Sequence, residues 1–283
     1  MYRRASKLFM LFISRKSVLF FDVLKVIFFS RLRLTRIWIK GNNVSELCIL
    51  GSGPSANDYW DDNIHRKNAD LLVMNFQIVD DKVFSEKPVY LVLADNLIFG
   101  EKIEYMSTDH VEKLNLVLEV LERVDWNLTV FLPTHFNKVW RGRLSNPAVN
   151  LRYINSTPLA GCSKFHFIIF NQGLGCPNVS SVYVLAVYLA IYLDYARISL
   201  YGAEHNWMNS CSVNTKGEAF FVLEHADGRK HKRLIRTMAD FAKSQFELFR
   251  SHETLYAWAE HKNIVIVNKS RNSLLNVYKR TYA

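Results

Sequence analysis

The stretch Leu47-Cys48-Ile49-Leu50-Gly51-Ser52-Gly53-Pro54-Ser55 runs from apolar residues into a short loop of glycine, proline and serine. These residue types in this order suit an anion at a strand-to-helix turn. Gly51 and Gly53 let backbone come close to a phosphate. Ser55 can cap the helix that follows, whose first amides favour negative charge. The third glycine of a dinucleotide fingerprint is missing, and no Gly-Lys-Ser/Thr follows as in a Walker loop. A tight turn without any ligand would use similar residues. Pro54 therefore marks a turn in either reading, and what decides between them is the company the loop keeps.

That company is polar. The run Leu71–Met74 leads into Asn75 and Gln77, and Val89–Ala94 leads into Asp95 and Asn96. Amide groups bond a ribose or a base edge without adding net charge. Ser180 and Ser181 open an apolar helical run after Pro177 and are expected on the same rim. The run ending at Tyr201 continues as Gly202-Ala203-Glu204-His205. A glutamate and a histidine after a strand are candidate bases. His225, in Glu224-His225-Ala226-Asp227 with Arg229, Lys230, His231, Lys232 and Arg233 behind it, is a base candidate with phosphate-binding help nearby. A solvated loop or a structural histidine would account for either position, and the choice between His205 and His225 stays open. Asp61-Asp62 and Asp80-Asp81 are adjacent pairs, poorly spaced for a metal–diphosphate, so metal-independent chemistry and no cofactor are expected.

The elements that must position these groups alternate. Candidate strands are Glu46–Leu50, Leu71–Asn75, Val89–Ala94, Asn127–Leu132, Arg197–Tyr201 and Ile264–Asn268, most of them near-continuous apolar runs of the kind found in parallel strands buried on both faces. Candidate helices are His110–Val124, Val179–Leu193 and Lys232–Lys262. The expected fold is α/β: a Rossmann-like, twisted, mostly parallel sheet with helices on both faces and a small lid-like insertion. Residues 46–283 form the expected catalytic domain, with 133–177 and 209–230 as irregular loops or a lid.

Composition removes several function classes. The chain has 283 residues and a net charge of +10, but residues 1–40 hold ten basic residues against one acid, Asp22. The remainder is close to neutral, so no nucleic-acid partner is implied. Four cysteines without a Cys-x-x-Cys spacing fit a reducing compartment, with Cys48 as a small buried hydrophobe. Residues 8–30 mix large apolar residues with Arg15, Lys16, Asp22 and Lys25. They make a poor membrane span and a poor secretory signal. A helix lying on an anionic membrane surface is the expected use of 1–40, which places the protein at the inner face of the cell membrane. Packing on the body, or homo-oligomerisation, is the alternative.

Taken in order, strand–Gly-x-Gly-Pro-Ser, Asn75-x-Gln77, Ser180-Ser181-Val182-Tyr183, Ile198-Ser199-Leu200-Tyr201-Gly202-Ala203-Glu204, the strand Ile264–Asn268 and Asn272-Ser273-Leu274-Leu275 resemble the bacterial sialyltransferases of glycosyltransferase family 42. They resemble equally the related domains of capsule, O-antigen and flagellin-modification clusters, some labelled pterin pyrophosphokinase-like. The resemblance spans about Glu46 to Tyr278. It implies a CMP-activated donor of sialic acid or another nonulosonic acid, a glycan or lipid-linked acceptor, and a histidine base. It places the donor on Gly51, Ser52, Gly53, Asn75, Asn96, Ser180 and Ser181. The family commonly carries asparagine where this chain has Ser52. By order along the chain the base falls on His225, while a related Gly-Ala-Asp-His pattern favours His205. The alternatives are an ATP-dependent pyrophosphokinase-like phosphotransferase and a non-catalytic assembly protein of an envelope-polysaccharide pathway.

Overall fold

The computed structural model describes residues 17–30, 45–62, 67–100 and 103–281. Eight strands form one sheet: β1 (Glu46–Leu50), β2 (Asp70–Met74), β3 (Tyr90–Val92), β4 (Leu128–Pro133), β5 (Val149–Ile154), β8 (Arg197–Tyr201), β12 (Val265–Asn268) and β13 (Lys279–Arg280). Their order is β13-β12-β8-β1-β2-β3-β4-β5, and every pairing is parallel. The chain starts at the centre, moves out through β5, and returns to the other side of β1. That reversal makes a topological switch point between β1 and β8, where the loops leaving the two strands diverge.

Side chains alternate across the sheet, so each strand feeds two cores. Leu47 and Ile49 of β1 join one apolar cluster, and Cys48 and Leu50 join the other. The first cluster packs under α4 (Val182–Tyr192) and α5 (Met238–His261). In α4 every residue from Tyr183 to Ile191 is buried. A helix apolar all round is stable only when enclosed, here between the sheet and α5. The second cluster packs under α2 (Thr108–Glu122), which offers Leu114, Val117, Val120 and Leu121 at helical spacing. The α/β fold with helices on both faces agrees with the expectation from sequence.

Two stretches differ from it. Residues 133–177, expected to be irregular, contain the edge strand β5, helix α3 (Lys164–Asn171) and the short parallel pair β6 (Pro158–Leu159) and β7 (Cys176–Pro177). Residues 209–230 contribute to an antiparallel sheet of β9 (Ser212–Val213), β10 (Ala219–Glu224) and β11 (Lys230–Leu234). The helix expected from Lys232 accordingly begins at Met238, where Thr237 caps it by accepting the N–H of Asp240. β11, Lys-His-Lys-Arg-Leu, is exposed throughout and so lacks the apolar alternation that identifies a strand.

Residues 17–29 form helix α1. Its Asp22 is buried, and its Val26 joins the first core cluster. Residues 1–16 and 31–40 of the expected membrane-associating segment lie outside the described residues. No helix among the described residues is long and apolar enough to cross a membrane.

Candidate functional site

At the switch point the glycines bring backbone against backbone. The Gly51 N–H donates to the Tyr201 carbonyl at 2.7 Å, and the Gly53 N–H to the Gly202 carbonyl at 3.3 Å. A Cβ on Gly51 would lie 2.3 Å from the Gly202 oxygen and 2.7 Å from the Tyr183 ring. Gly202 turns the chain out of β8 with a φ of +66°, and a Cβ there would lie 2.8 Å from the Gly51 oxygen. Both residues are glycine because the two strand ends touch.

The hollow of the first loop is filled from within. The Ser55 N–H donates to Oε1 of Glu204 at 2.6 Å. The other oxygen, Oε2, occupies the place of a side chain on Gly53, 1.6 Å from where a Cβ would be. The Glu204 carboxyl thus fills this turn, and its Oε2 is buried with no hydrogen-bond partner among the described residues. The loop expected from sequence to let backbone approach a phosphate here has its Ser55 N–H taken by a side chain of the protein. Pro54 begins a single 3-10 turn, Pro54–Asn57, and the Ser55 hydroxyl caps nothing.

The C-terminal turn holds Glu204 in place. The Ala203 N–H donates to Ser270 Oγ at 2.8 Å, the Ser273 hydroxyl donates to the Ala203 carbonyl at 2.5 Å, and the Leu274 N–H donates to the Glu204 carbonyl at 2.8 Å. His205 follows in the left-handed region, with a φ of +44°. It is buried, and its ring meets Tyr183, Trp207 and His252 at centroid distances of 5.5, 5.3 and 5.3 Å. Neither ring nitrogen has a partner among the described residues, and burial lowers its pKa to about 4. His252, on α5, bonds the Tyr278 hydroxyl through Nδ1 at 2.8 Å, and burial and then His205 push it well below the ordinary histidine value. His252 also lines a cleft of about 220 Å³ with Phe249, Glu253 and Leu274.

The amides expected on the rim are there, and they tie strand ends together. Asn75 has a φ of +49° and accepts the Ala94 N–H through Oδ1 at 3.1 Å, linking the ends of β2 and β3. Gln77 donates to the Gly51 carbonyl at 2.8 Å and accepts the Met74 N–H at 2.9 Å, linking β1 to β2. Asp95 accepts the Leu97 N–H at 3.1 Å, and Oδ1 of the exposed Asn96 lies 3.2 Å from Nε2 of His135. Ser181 caps α4 by accepting the Tyr183 N–H, while the Ser180 hydroxyl is buried without a partner among the described residues.

His225 reaches the same place by another route. It sits in the turn between β10 and β11, and the next residue docks on the glycine loop. The Ala226 N–H donates to the Ser52 carbonyl at 2.9 Å, and Asn57 Nδ2 donates to the Ala226 carbonyl at 2.9 Å. His225 is half-buried, with the His231 ring 5.2 Å away. Burial, then the charges of His231 and Arg229, push its pKa below the ordinary histidine value. The basic residues of β11 extend from this tip, with Lys230 paired to Glu224 at 3.0 Å.

Two contributors escaped the sequence reading. His252 falls at core spacing with Leu248, Leu255 and Ala259, which a buried structural histidine would match equally well. Tyr183 donates towards the carbonyls of Ile49 and Tyr201 at 3.3 and 3.1 Å, closing the crevice floor. Among the described residues no group of three or more His, Cys, Asp or Glu side chains is placed to hold a metal ion.

No protein-family model matches the sequence, and no curated protein matches it. Among solved structures the chain is similar to the MAf glycosyltransferase from Magnetospirillum magneticum AMB-1. That similarity has 13% identity and a TM-score of 0.47, and it covers 84% of this chain and 33% of the other. The chain thus spans about a third of the length of that structure.

Proposed function

We propose that this chain is a glycosyltransferase that binds a nucleotide-sugar donor at the β1/β8 switch point. The observation that carries the reading is the convergence there of a buried, half-satisfied carboxylate, left-handed Asn75 and His205, and a hairpin tip that brings His225 to the glycine loop. Backbone held in a sparsely populated region persists only where its surroundings over-determine it, and such positions cluster at ligand sites. A strand-end crevice at a switch point is where α/β sheets bind ligands.

The chemistry follows from which groups remain unsatisfied. The Glu204 carboxyl already fills the turn at Gly53 and Ser55, so that loop is not where a donor phosphate sits. The phosphate then belongs towards the hairpin, where Arg229, Lys230 and Arg233 supply positive charge as the leaving group develops negative charge. His225 is the better base. It is accessible and near the cations, whereas His205 is enclosed by three aromatic rings. In direct displacement, the neutral His225 imidazole takes the proton of the acceptor hydroxyl. The hydroxyl oxygen bonds the anomeric carbon, and the bond from that carbon to the phosphate oxygen breaks, releasing the nucleotide. By the sequence resemblance, the donor is CMP-sialic acid or another CMP-nonulosonic acid and the acceptor is a surface glycan or its lipid-linked precursor.

A thermal-shift series with CMP, CDP, UDP, GDP and ATP, each with and without magnesium, tests this reading. A ligand at 100 times its Kd stabilises by about 2.7 kcal/mol. A selective shift with CMP, independent of magnesium, is expected. A shift with ATP that requires magnesium favours phosphoryl transfer, and no shift with any nucleotide removes the donor site.

A further inference from the structure

Helix α1 turns one side into the body and, among the described residues, leaves the opposite, apolar side uncovered. On the inner side Asp22 is 1% exposed and accepts the backbone N–H groups of Ala160 and Gly161 at 3.0 and 2.9 Å. Its carboxylate also lies 3.2 Å from His166 Nε2 and 3.1 Å from Lys25 Nζ. Burial alone would raise the pKa of Asp22, but the bonds from His166, Lys25 and Gly161 outweigh it and hold the carboxyl below its ordinary range. Gly161 permits this contact, since a Cβ there would lie 2.0 Å from the His166 ring. One turn on, Val26 enters the core, and Ser30 accepts a hydrogen bond from Asn155 at 3.0 Å.

Among the described residues nothing covers the outer side. Phe20, Phe21, Ile27 and Phe28 recur on one helical face, and each is between 56% and 73% exposed. On α3, the helix that supplies His166, Phe165 and Ile168 are exposed as well. Large exposed apolar surface of this kind marks an interaction site.

We propose that this face docks on an anionic phospholipid bilayer. The charge distribution selects that occupant. The single acid among residues 1–40 is the one turned into the body, and the sequence flanking the helix is basic, with Arg15 and Lys16 before it and Arg31 and Arg33 after it. A second copy of the chain would set these like charges against each other, whereas anionic headgroups neutralise them. The aromatic side chains enter the headgroup and acyl boundary, and the helix lies in the plane of the surface rather than spanning it. The buried Asp22 gives the attachment a direction, because it clamps the opposite side of the helix to the loop before α3.

Sedimentation of the full chain with phosphatidylcholine vesicles, with and without phosphatidylglycerol, tests the proposal. Binding is expected only with phosphatidylglycerol and is expected to weaken as salt is raised. The Phe20→Ser/Phe28→Ser double variant is expected to bind about tenfold more weakly, with its melting temperature unchanged because both side chains are exposed. Equal binding to neutral vesicles overturns the proposal, as does undiminished binding of the double variant. A vesicle-free dimer that the double variant dissociates would assign the face to a second copy instead.

Discussion

Glu204 sits where a glycine-rich loop would otherwise receive an external anion, and Gly53 lacks a side chain because that carboxylate needs the space. The two residues are therefore a coupled pair. Gly53→Ala is expected to cost about 1–3 kcal/mol through overpacking against Glu204 and the Gly202 carbonyl. Glu204→Ala is expected to cost about 1–3 kcal/mol by leaving the buried Ser55 N–H without an acceptor. Because the first substitution clashes with the group the second removes, the double variant should be more stable than the sum of the two, with a coupling on the order of 1 kcal/mol. Urea unfolding of the four proteins measures it. Strict additivity would mean that the carboxylate does not occupy the loop in solution.

At the scale of elements, the exposed hairpin of β10 and β11 contributes to the site out of proportion to its burial. It touches the glycine loop through Ala226 and presents His225 beside it. If His225 is the base, His225→Ala should lower kcat by about 10²–10⁴ and leave the melting temperature unchanged. In the parent protein the acidic limb of the transfer-rate profile should then fall below the ordinary histidine range, because the imidazole must be neutral and its pKa is depressed. A variant with full activity would return the role to His205. The hairpin was also the element least legible in the sequence. β1 and β8 were readable to the residue, since buried parallel strands are continuous apolar runs. β11 offers four basic or histidine residues and one leucine, because both of its faces meet solvent, and it reads as the charged start of the helix that follows. The rim amides were legible as a set, since polar residues ended three strands in turn. That Glu204 folds back onto Ser55 was not, because the sequence carries no sign of which side chain crosses between strands 149 residues apart.

At the scale of the whole molecule, buried imidazoles tie the fold to pH. His205 stays neutral down to about pH 4 in the folded chain, while an unfolded histidine titrates near 6.5. Between those values the unfolded chain binds the extra proton, so the stability contribution of His205 is complete above about pH 6.5 and is lost as pH falls towards 4. The loss from this residue is roughly 3 kcal/mol, and His252 acts in the same direction. The depressed carboxyl of Asp22 gives way in more acid solution, below the ordinary aspartate value. Melting temperatures recorded across this range should fall steeply for the parent and less steeply for His205→Asn, which tolerates the left-handed backbone. Parallel slopes would show that His205 is already solvated in the native state.

The pairing of β1 with β8 also sets when the crevice can exist. Glu46–Leu50 leave the ribosome about 150 residues before Arg197–Tyr201, and the turn that pins Ala203 and Glu204 comes from residues 270–274, later still. During synthesis β1 can recruit β2 through β5 on one side while its other edge stays open. Such an unpaired edge is a hazard for wrong pairing. A chain stopped before residue 270 would hold most of the sheet and half of the rim, yet nothing would fix the carboxylate in the loop. The carboxylate is thus set in the loop only once residues 270–274 are made, so a chain shortened before them should lose the contact between Glu204 and Ser55.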